Sequence, residues 1–342
     1  MKLTVLIPLT LLLLVGQLLW HHDAPLNAAP FRLVVGYATH NARIAPIWIA
    51  KEQGIFAKYG IEPEQVYLRG APILVSGLAA GSIQIGRSGG SATLAAVAAG
   101  HDFKIVATFS GHNTYDLVVR PNIKRVEDLR GKKFSVTSIG GTTWMGVLFW
   151  LEHLGLDQQR DQIHLQVIGD QNTQAQALET GIVDAAALDG IFSRRLKQKG
   201  MTILREYSDL NIPAVGQAMV VPRPFLQQRS DIVENYLKAE VEGLAFSFAP
   251  KNKPIVLKTL MRQLKTDLAG AEEGYLDLLR GVERKPFPSF DGLRNIQRVL
   301  KTRNPKVGEV KVEEVIDDRI MRKLDESGFI ERAYAAQGAS LK

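Results

Sequence analysis

Hydrophobic positions follow two alternating patterns from residue 31 to about residue 222. Short runs of apolar and β-branched residues, such as residues 33–37 and 103–109, predict buried strands. Between these runs, apolar residues recur at helical spacing, and Gly or Pro marks the ends of the segments. Strands that alternate with helices predict an α/β fold with mostly parallel sheets and helices on both faces.

Prolines and a change in composition divide this pattern into two lobes. Pro121 follows a strand predicted at residues 115–119, and Pro222 ends a strand predicted at residues 217–221. We interpret these positions as the two crossings between lobes. The first lobe then comprises residues 29–119 and 222–342, and the second comprises residues 120–221. After Pro224 the pattern is helical and more charged, which predicts a C-terminal helical extension packed on the first lobe.

One loop of the second lobe has the composition of an anion-binding turn. Residues 132–155 indicate a strand, a Ser/Thr/Gly loop and an amphipathic helix. Gly140 and Gly141 allow a ligand to approach the backbone closely, and Thr142 or Thr143 can cap the helix. Amide groups at a helix N-terminus attract anions. Because many β–α turns contain a Gly and a capping Thr, the loop alone leaves a purely structural role equally open.

The first 28 residues have the pattern of a secretory signal peptide. Lys2 precedes an apolar run over residues 3–20, and small residues surround Ala28, after which we expect cleavage. An uncleaved membrane anchor is the alternative, because the run approaches the length that spans a bilayer. Both interpretations place the rest of the chain outside the cytoplasm, and we expect a periplasmic location.

Composition excludes several classes of chemistry. The chain of 342 residues has no Cys, which excludes disulfides, thiolate metal sites, a cysteine nucleophile and a lipid-bearing cysteine. The His residues after the signal peptide are separated singly along the sequence, so no metal site is predicted. The net charge of +7 comes from scattered Lys and Arg. This distribution argues against nucleic-acid binding and gives a mild preference for anionic solutes.

Four segments resemble one known family. Residues 46–61 contain an apolar helical pattern, then Lys-Glu-Gln-Gly-Ile-Phe, then a Gly-Ile exit. Residues 78–85 and 178–184 resemble a Leu-x-x-Gly-x-x-Asp strand entry, although Gln84 replaces the Asp in the first copy. Residues 128–133, Asp-Leu-Arg-Gly-Lys-Lys, resemble the lead into the second lobe. Over about residues 31–222 the chain resembles the type II periplasmic solute-binding proteins that handle sulfonates, nitrate and the thiamine pyrimidine precursor.

The resemblance implies a two-lobed type II periplasmic-binding-protein fold. Such a protein closes on a small-molecule solute by a hinge and passes it to the inner-membrane permease of an ABC importer. The resemblance also implies a monomer that is not an enzyme, with no cofactor, catalytic residue or metal. A small organic anion, such as a sulfonate or carboxylate, is the expected ligand. A thiamine pyrimidine precursor or another aromatic amine is the alternative.

Candidate ligand-binding residues lie in loops where strands end and helices begin, which is where open α/β sheets bind ligands. They are Thr39, His40, Asn41, Arg87, Ser88, Gly89, Ser91, Ser110, His112, Asn113, Thr137, Ser138, Gly141, Thr142, Thr143, Trp144, Asp189 and Gln217. Asp170 and Gln171 fall in a further cleft loop. Arg87 can pair with an acidic solute or form a structural salt bridge. Trp144 can stack on a ligand or belong to the core, and Asp189 can receive an amine or cap a helix.

A secreted serine hydrolase is the alternative from another class. Residues 86–90, Gly-Arg-Ser-Gly-Gly, match the Gly-x-Ser-x-Gly nucleophile elbow between a predicted strand and a predicted helix. Ser88 would be the nucleophile. Such an enzyme needs an acid and then a His near the end of the chain, but the last His is His164, and no Gly-rich oxyanion motif precedes Ser88. These departures favour a binding protein.

Overall fold

The computed structural model describes residues 29–209 and 211–341. The predicted signal peptide, residues 1–28, therefore lies outside the described residues. Within the described part of the chain, no helix is both long and apolar enough to cross a membrane.

The elements alternate as the sequence pattern predicts up to the last strand. The strands are β1 (Phe31–Tyr37), β2 (Ile61–Tyr67), β3 (Ile85–Ser88), β4 (Phe103–His112), β5 (Asp116–Val119), β6 (Lys133–Val136), β7 (His164–Val167), β8 (Ala185–Leu188), β9 (Thr202–Arg205) and β10 (Pro213–Pro222). The α-helices are α1 (Ala45–Glu52), α2 (Ile55–Lys58), α3 (Ala71–Ala79), α4 (Gly90–Ala98), α5 (Thr142–His153), α6 (Gln171–Thr180), α7 (Gly190–Gln198), α8 (Arg223–Gln228), α9 (Ser230–Phe248), α10 (Lys253–Leu264), α11 (Leu268–Gly281), α12 (Phe290–Leu300), α13 (Pro305–Gly308), α14 (Val312–Val315), α15 (Arg319–Glu326) and α16 (Phe329–Gln337).

Two five-stranded sheets organise these elements. The strand order is β2-β1-β3-β10-β4 in the first sheet and β7-β6-β8-β5-β9 in the second. β1 runs parallel to β2 and β3, and β6 runs parallel to β7 and β8. β10 and β5 run antiparallel to their neighbours. The α/β architecture is confirmed, but the sheets are mixed rather than mostly parallel, because the strand after each crossing runs against its neighbours.

The sheet order places both crossings earlier than the sequence predicts. β5 belongs to the second sheet and β10 to the first, so the chain crosses at residues 113–115 and 206–212. The predicted boundaries near residues 119 and 221 are therefore each wrong by one strand. A buried strand has the same apolar pattern in either sheet, and the Pro121 break is a turn inside the second sheet's lobe. Below, the first lobe means residues 31–112 and 213–341, and the second lobe means residues 116–205.

The C-terminal helices pack on the first lobe around large buried side chains. Trp48 of α1, Tyr236 of α9 and Tyr334 of α16 belong to one buried cluster. Each large apolar side chain buried in this way stabilises the fold by roughly 1.5–3 kcal/mol. α9 approaches α1 closely because residue 243 is Gly: a Cβ on Gly243 would lie 2.5 Å from the Pro46 carbonyl oxygen. This is the helical extension that the sequence predicts.

α12 connects this extension to the second lobe. Ile296 of α12 and Phe149 of α5 belong to the same buried cluster. Arg298 of α12 also pairs with Glu152 of α5, with Nη2 at 2.7 Å from Oε2. The two lobes are therefore in contact at a point remote in sequence from both crossings.

Candidate ligand-binding site

The described residues line a cavity of about 30 Å³ between the two lobes. It lies at the carboxyl ends of β1, β2 and β3 in the first lobe and of β6 and β7 in the second. A volume of this size holds about two water molecules, or the head group of a small anion. The lining residues are Ala38, Thr39, His40, Tyr67, Gly70, Ala71, Gly89, Thr137, Ser138, Gly141, Thr142, Thr143, Asp170 and Gln171.

Four of the described helices, α3, α4, α5 and α6, begin at this cavity. Gly70, Gly89 and Gly141 precede α3, α4 and α5, and none of them forms a side-chain cap. The first-turn amide groups of these three helices therefore have no capping side chain. Asp170 does cap α6, because its Oδ1 accepts a hydrogen bond from Thr173 N at 3.0 Å. The partial positive charge of three uncapped N-termini favours an anion in the cavity.

Hydroxyl groups of the loop between β6 and α5 have two different roles. Thr143 Oγ1 accepts a hydrogen bond from Thr137 N at 2.8 Å and donates to Thr137 Oγ1 at 2.9 Å, which fixes the loop. Thr142 Oγ1 accepts from the Tyr115 hydroxyl at 2.8 Å. Burial raises the pKa of Tyr115 to about 12, so Tyr115 remains a donor and leaves the Thr142 proton for a ligand. Ser138 Oγ is buried without a partner in the described chain.

His40 and Tyr67 contribute the ring side chains of the first lobe's part of the cavity lining. The centroid of the His40 ring lies 4.9 Å from that of Tyr67 and 5.2 Å from that of Trp48. His40 Nε2 is 2.9 Å from the Gln263 carbonyl oxygen, which can only accept, so Nε2 carries a proton and donates. Nδ1 is buried and has no partner among the described residues.

Polar contacts join the lobes beside the cavity. Asp189, immediately before α7 in the second lobe, forms a buried ion pair with Arg43 of the first lobe. Asn41 Nδ2 donates to Asp189 Oδ2 at 2.9 Å. Ser91 Oγ, in the first turn of α4, donates to the Gly140 carbonyl oxygen of the second lobe at 2.8 Å. Buried contacts of this kind favour the arrangement in which the lobes touch.

Asp277 of α11 is a second buried carboxyl group in this interface. Its Oδ2 accepts a hydrogen bond from Ile191 N at 3.3 Å, in the first turn of α7. Burial raises the pKa of Asp277 to about 7, while the positive charge of Arg43 opposes this shift and Asp189 adds to it. Asp277 therefore titrates near neutral pH.

We expect Asp277 to make the stability of the protein depend on pH. Folding raises its pKa from 3.8 to about 7, so its stabilising contribution is fully present below the unfolded value and is lost progressively as the pH rises from 3.8 to about 7. Asp277→Asn keeps an acceptor for Ile191 N and does not titrate. Between about pH 4 and pH 7, the melting temperature of the unsubstituted protein should therefore decrease relative to that of the variant, and above about pH 7 the difference should stay constant. Parallel pH profiles of the two melting temperatures would contradict this assignment.

Arg87 does not line the cavity, in contrast to its predicted role as a partner of an acidic solute. Its Nη1 donates to both carboxylate oxygens of Glu240, at 2.9 and 2.8 Å. Its guanidinium carbon lies 3.5 Å from the centroid of the Phe109 ring. Both charged side chains are buried. The structural salt bridge, which was the alternative interpretation of Arg87, is therefore the arrangement that the structure has.

Arg87→Met should destabilise the protein strongly, because it leaves Glu240 buried without its partner. The expected loss in the free energy of unfolding is about 3–5 kcal/mol. Arg87→Met combined with Glu240→Gln should recover part of this loss, since no unpaired charge then remains. Urea unfolding of both variants measures the difference. An additive loss in the double variant would show that the two side chains do not act as a pair.

The cavity brings together part of the candidate set. The candidates that line it are Thr39, His40, Gly89, Thr137, Ser138, Gly141, Thr142 and Thr143. The candidates that do not line it are Asn41, Arg87, Ser88, Ser91, Ser110, His112, Asn113, Trp144, Asp189 and Gln217. For all of these residues a contact with ligand stays a prediction.

Several candidates outside the cavity are used within the protein. Ser110 Oγ donates to the Gly281 carbonyl oxygen at 2.9 Å, and Trp144 is buried in the core. Asp189 neither caps α7 with its side chain nor faces the cavity, because its carboxylate binds Arg43. Gln217 donates a hydrogen bond to Asn41. Ser91, His112 and Asn113 line a separate cavity of about 20 Å³.

The loop after β2 is missing from the candidate set. Lining residues outside that set are Ala38, Tyr67, Gly70, Ala71, Asp170 and Gln171. Gly70 and Pro72 mark a helix start directly after a predicted strand, which is the same signal that identifies the other cleft loops. Applied to every strand end, that rule finds this loop as well.

Comparison with known proteins identifies one protein family and several relatives of this chain. A protein-family model described as NMT1/THI5 like matches residues 41–252, which is more than half of the chain. A candidate aliphatic sulfonates-binding protein from Bacillus subtilis (strain 168) is 28% identical over 203 residues. That match covers 57% of this chain and 60% of the relative, so the chain spans less than two thirds of the relative's length.

Solved structures share the fold at low sequence identity. The alkanesulfonate-binding protein SsuA from Xanthomonas axonopodis pv. citri, bound to MOPS, is 20% identical with a TM-score of 0.69, covering 85% of this chain and 99% of that chain. The periplasmic nitrate-binding protein NrtA from Synechocystis PCC 6803 is 15% identical with a TM-score of 0.69, covering 90% and 91%. At these identities the similarity establishes the periplasmic-binding-protein fold alone.

Proposed function

This chain belongs to the NMT1/THI5-like family, and on that premise we propose that it is the extracytoplasmic solute-binding component of an ABC-type importer. Its ligand is a small organic anion, such as a sulfonate or a carboxylate, bound in the cavity between the lobes. The protein acts as a periplasmic monomer that delivers the solute to the membrane permease and catalyses no reaction. The observation that carries the proposal is the convergence of three uncapped helix N-termini on one cavity.

The charges around the cavity support an anion with a single, dispersed charge. No lining residue in the described chain is Lys or Arg, and Arg87 is committed to Glu240. Helix N-termini each supply roughly half a positive charge, spread over several amide groups. Ser138 Oγ has no partner in the described chain, and Thr142 Oγ1 accepts from Tyr115, so both hydroxyl groups have a proton that a ligand can accept. A sulfonate, whose charge is shared by three oxygens, matches this arrangement of donors.

The names of similar proteins support the same class of ligand. The Bacillus subtilis relative is named for aliphatic sulfonates, and the two solved structures are named for alkanesulfonates and nitrate. All three names describe small anions of strong acids. This agreement supports an anion without naming the one that this chain binds.

An aromatic amine such as a pyrimidine receives less support. Among the described residues that line the cavity, Asp170 alone carries a carboxylate, and its Oδ1 already accepts hydrogen bonds from Thr173 N and Oγ1.

A hydrolase that uses Ser88 also receives no support from the geometry. Ser88 lies outside the cavity, and its Oγ is buried without a hydrogen-bond partner in the described chain. A serine nucleophile needs a base within hydrogen-bonding distance. The residue therefore has no means of activation in this arrangement.

The proposal includes closure of the lobes on the ligand. The cavity is lined by both lobes, so an open molecule would present only half of the lining residues on each side. Residues 113–115 and 206–212 are the two segments that connect the lobes, and we assign the hinge to them. Binding and closure are then one event.

Ser138→Ala should weaken ligand binding while leaving the fold intact. Ser138 Oγ makes no hydrogen bond within the described protein, so its removal costs no internal contact. A hydrogen bond to a charged group contributes about 1.5–3 kcal/mol, so the dissociation constant should rise roughly tenfold to hundredfold. Isothermal titration calorimetry with methanesulfonate as the probe measures this change.

Ser76→Ala is the matched control, because Ser76 is exposed on α3 and bonds only to the Pro72 carbonyl oxygen in the described chain. Its affinity should equal that of the unsubstituted protein. A thermal-shift screen over sulfonates, carboxylates, nitrate and pyrimidines tests the proposal more broadly, because a bound ligand raises the melting temperature. Stabilisation by pyrimidines alone would refute an anion receptor.

A further inference from the structure

We infer that one face of the C-terminal helical extension binds the surface of a membrane that contains anionic lipids. We call it the basic face, and it consists of Lys251, Ile255, Lys258, Met261, Lys265 and Leu268. The inference goes beyond the proposed function and does not depend on the ligand, because none of these residues lines the cavity between the lobes.

The segment that carries most of the basic face is strongly cationic. Five of the fifteen residues from 251 to 265 are Lys or Arg, and none is Asp or Glu. A basic helical segment of this kind is attracted to anionic lipid head groups. The segment therefore has a local excess of positive charge.

Helical geometry collects these charges on the outer side of α10. Val256, Leu257 and Leu260 are buried and face the core of the first lobe. At about 100° per residue, Lys258 and Lys265 lie on the opposite side of the helix from these three side chains. The residues on that opposite side are exposed.

The three lysines of the basic face have no partner within the protein. Lys251, Lys258 and Lys265 are exposed, and within the described chain their side chains form neither an ion pair nor a hydrogen bond. Moving such a side chain to an anionic surface breaks no internal contact. The three ammonium groups are therefore available to a partner.

The carboxylates nearest to the basic face are already used. Glu52 of α1 pairs with Arg262, and Glu272 of α11 pairs with Lys253. Asp267 caps the start of α11 with its side chain. Asp267 can offset one positive charge at most, so the basic face keeps a net positive charge.

Large apolar side chains are exposed among the lysines. Four of the eight large hydrophobic side chains that the described part of the chain exposes belong to α10 and α11. Ile255 and Met261 are 41% and 37% exposed on the outer side of α10, and Leu268 is 55% exposed where the two helices join. The interface of an anionic bilayer accepts both cations and apolar side chains. This combination favours a lipid surface over an acidic protein, which would leave the apolar side chains without a matching environment.

The basic face extends to the part of the first lobe that carries the cavity. The carbonyl oxygen of Gln263, near the end of α10, lies 2.9 Å from Nε2 of His40, which lines the cavity. A membrane bound at α10 would therefore keep the cavity close to the lipid surface. The proposed function requires delivery of the solute to a permease in that membrane.

Co-sedimentation with lipid vesicles tests the inference. Vesicles that contain phosphatidylcholine and phosphatidylglycerol in equal amounts should bind the protein more tightly than vesicles of phosphatidylcholine alone. Added salt should reduce the difference, because it screens exposed charges. The apolar run over residues 3–20 would bind both kinds of vesicle, so the difference between them reports the charge interaction. No preference for the anionic vesicles would overturn the inference.

Replacing the three lysines should remove most of this preference. The triple variant is Lys251→Gln, Lys258→Gln and Lys265→Asn, with Asn at position 265 because φ there is 51°, in the left-handed region that Asn tolerates. Each lysine near an anionic surface contributes roughly fivefold to binding, so anionic vesicles should bind the variant up to about a hundredfold more weakly. Its melting temperature should stay close to that of the unsubstituted protein.

Lys124→Gln, Lys301→Gln and Lys306→Gln together form the matched control. These three lysines are also exposed and unpaired in the described chain but lie outside α10 and α11, so the control loses the same net charge. The control should keep most of the preference for anionic vesicles. Equal losses in the two triple variants would overturn the inference, because net charge rather than this face would then be responsible.

A third variant tests whether the partner is a lipid surface. Met261→Ser combined with Leu268→Ser keeps every charge and should weaken binding to anionic vesicles, since less apolar surface then enters the interface. Undiminished binding would overturn the assignment to a lipid surface and leave a purely anionic partner such as an acidic protein. All three variants should bind methanesulfonate like the unsubstituted protein, so this inference and the proposed function can fail independently.

Discussion

Unsatisfied amide groups at the starts of helices are the constraint on which the site between the lobes depends. Backbone amides in a first helical turn have no partner within the helix, and leaving such groups buried and unpaired is costly. Here three helices begin after Gly residues, which have no side chain to cap them. The same residues keep the space open, since a Cβ on Gly141 would lie 2.7 Å from Ser138 Oγ. The backbone therefore provides both the positive potential and the room for an anion.

The sequence predicts the fold where the pattern is local and fails where it depends on distant partners. Strands and helices alternate with clear apolar spacing and Gly or Pro boundaries, so their order is predictable. β5 and β10 are the two strands whose lobe the sequence predicts wrongly. Each is a largely apolar strand, and only its pairing, with β8 and β9 for β5 or with β3 and β4 for β10, reveals the lobe to which it belongs. Such pairing is decided by packing across the whole chain.

The candidate site is likewise predictable only where its residues depend on local order along the chain. The rule that ligands lie at strand ends finds the loop from Thr137 to Thr143, because that rule uses only local order. It also selects Arg87, whose partner Glu240 is 153 residues later in the chain and unrecognisable in advance. A buried cation attracts the nearest buried carboxylate before it can serve a ligand. Any cationic candidate chosen from sequence alone carries this uncertainty until its partner is known.

In the proposed function, closure and ligand binding are linked because the cavity is divided between the lobes. A ligand that contacts both lobes stabilises the closed form, and any group that stabilises the closed form raises the apparent affinity in the same proportion. The buried ion pair between Asp189 and Arg43 joins the two lobes without lining the cavity. Such a contact contributes to the apparent affinity without touching the ligand, so the strength of binding depends on the interface between the lobes as well as on the cavity itself.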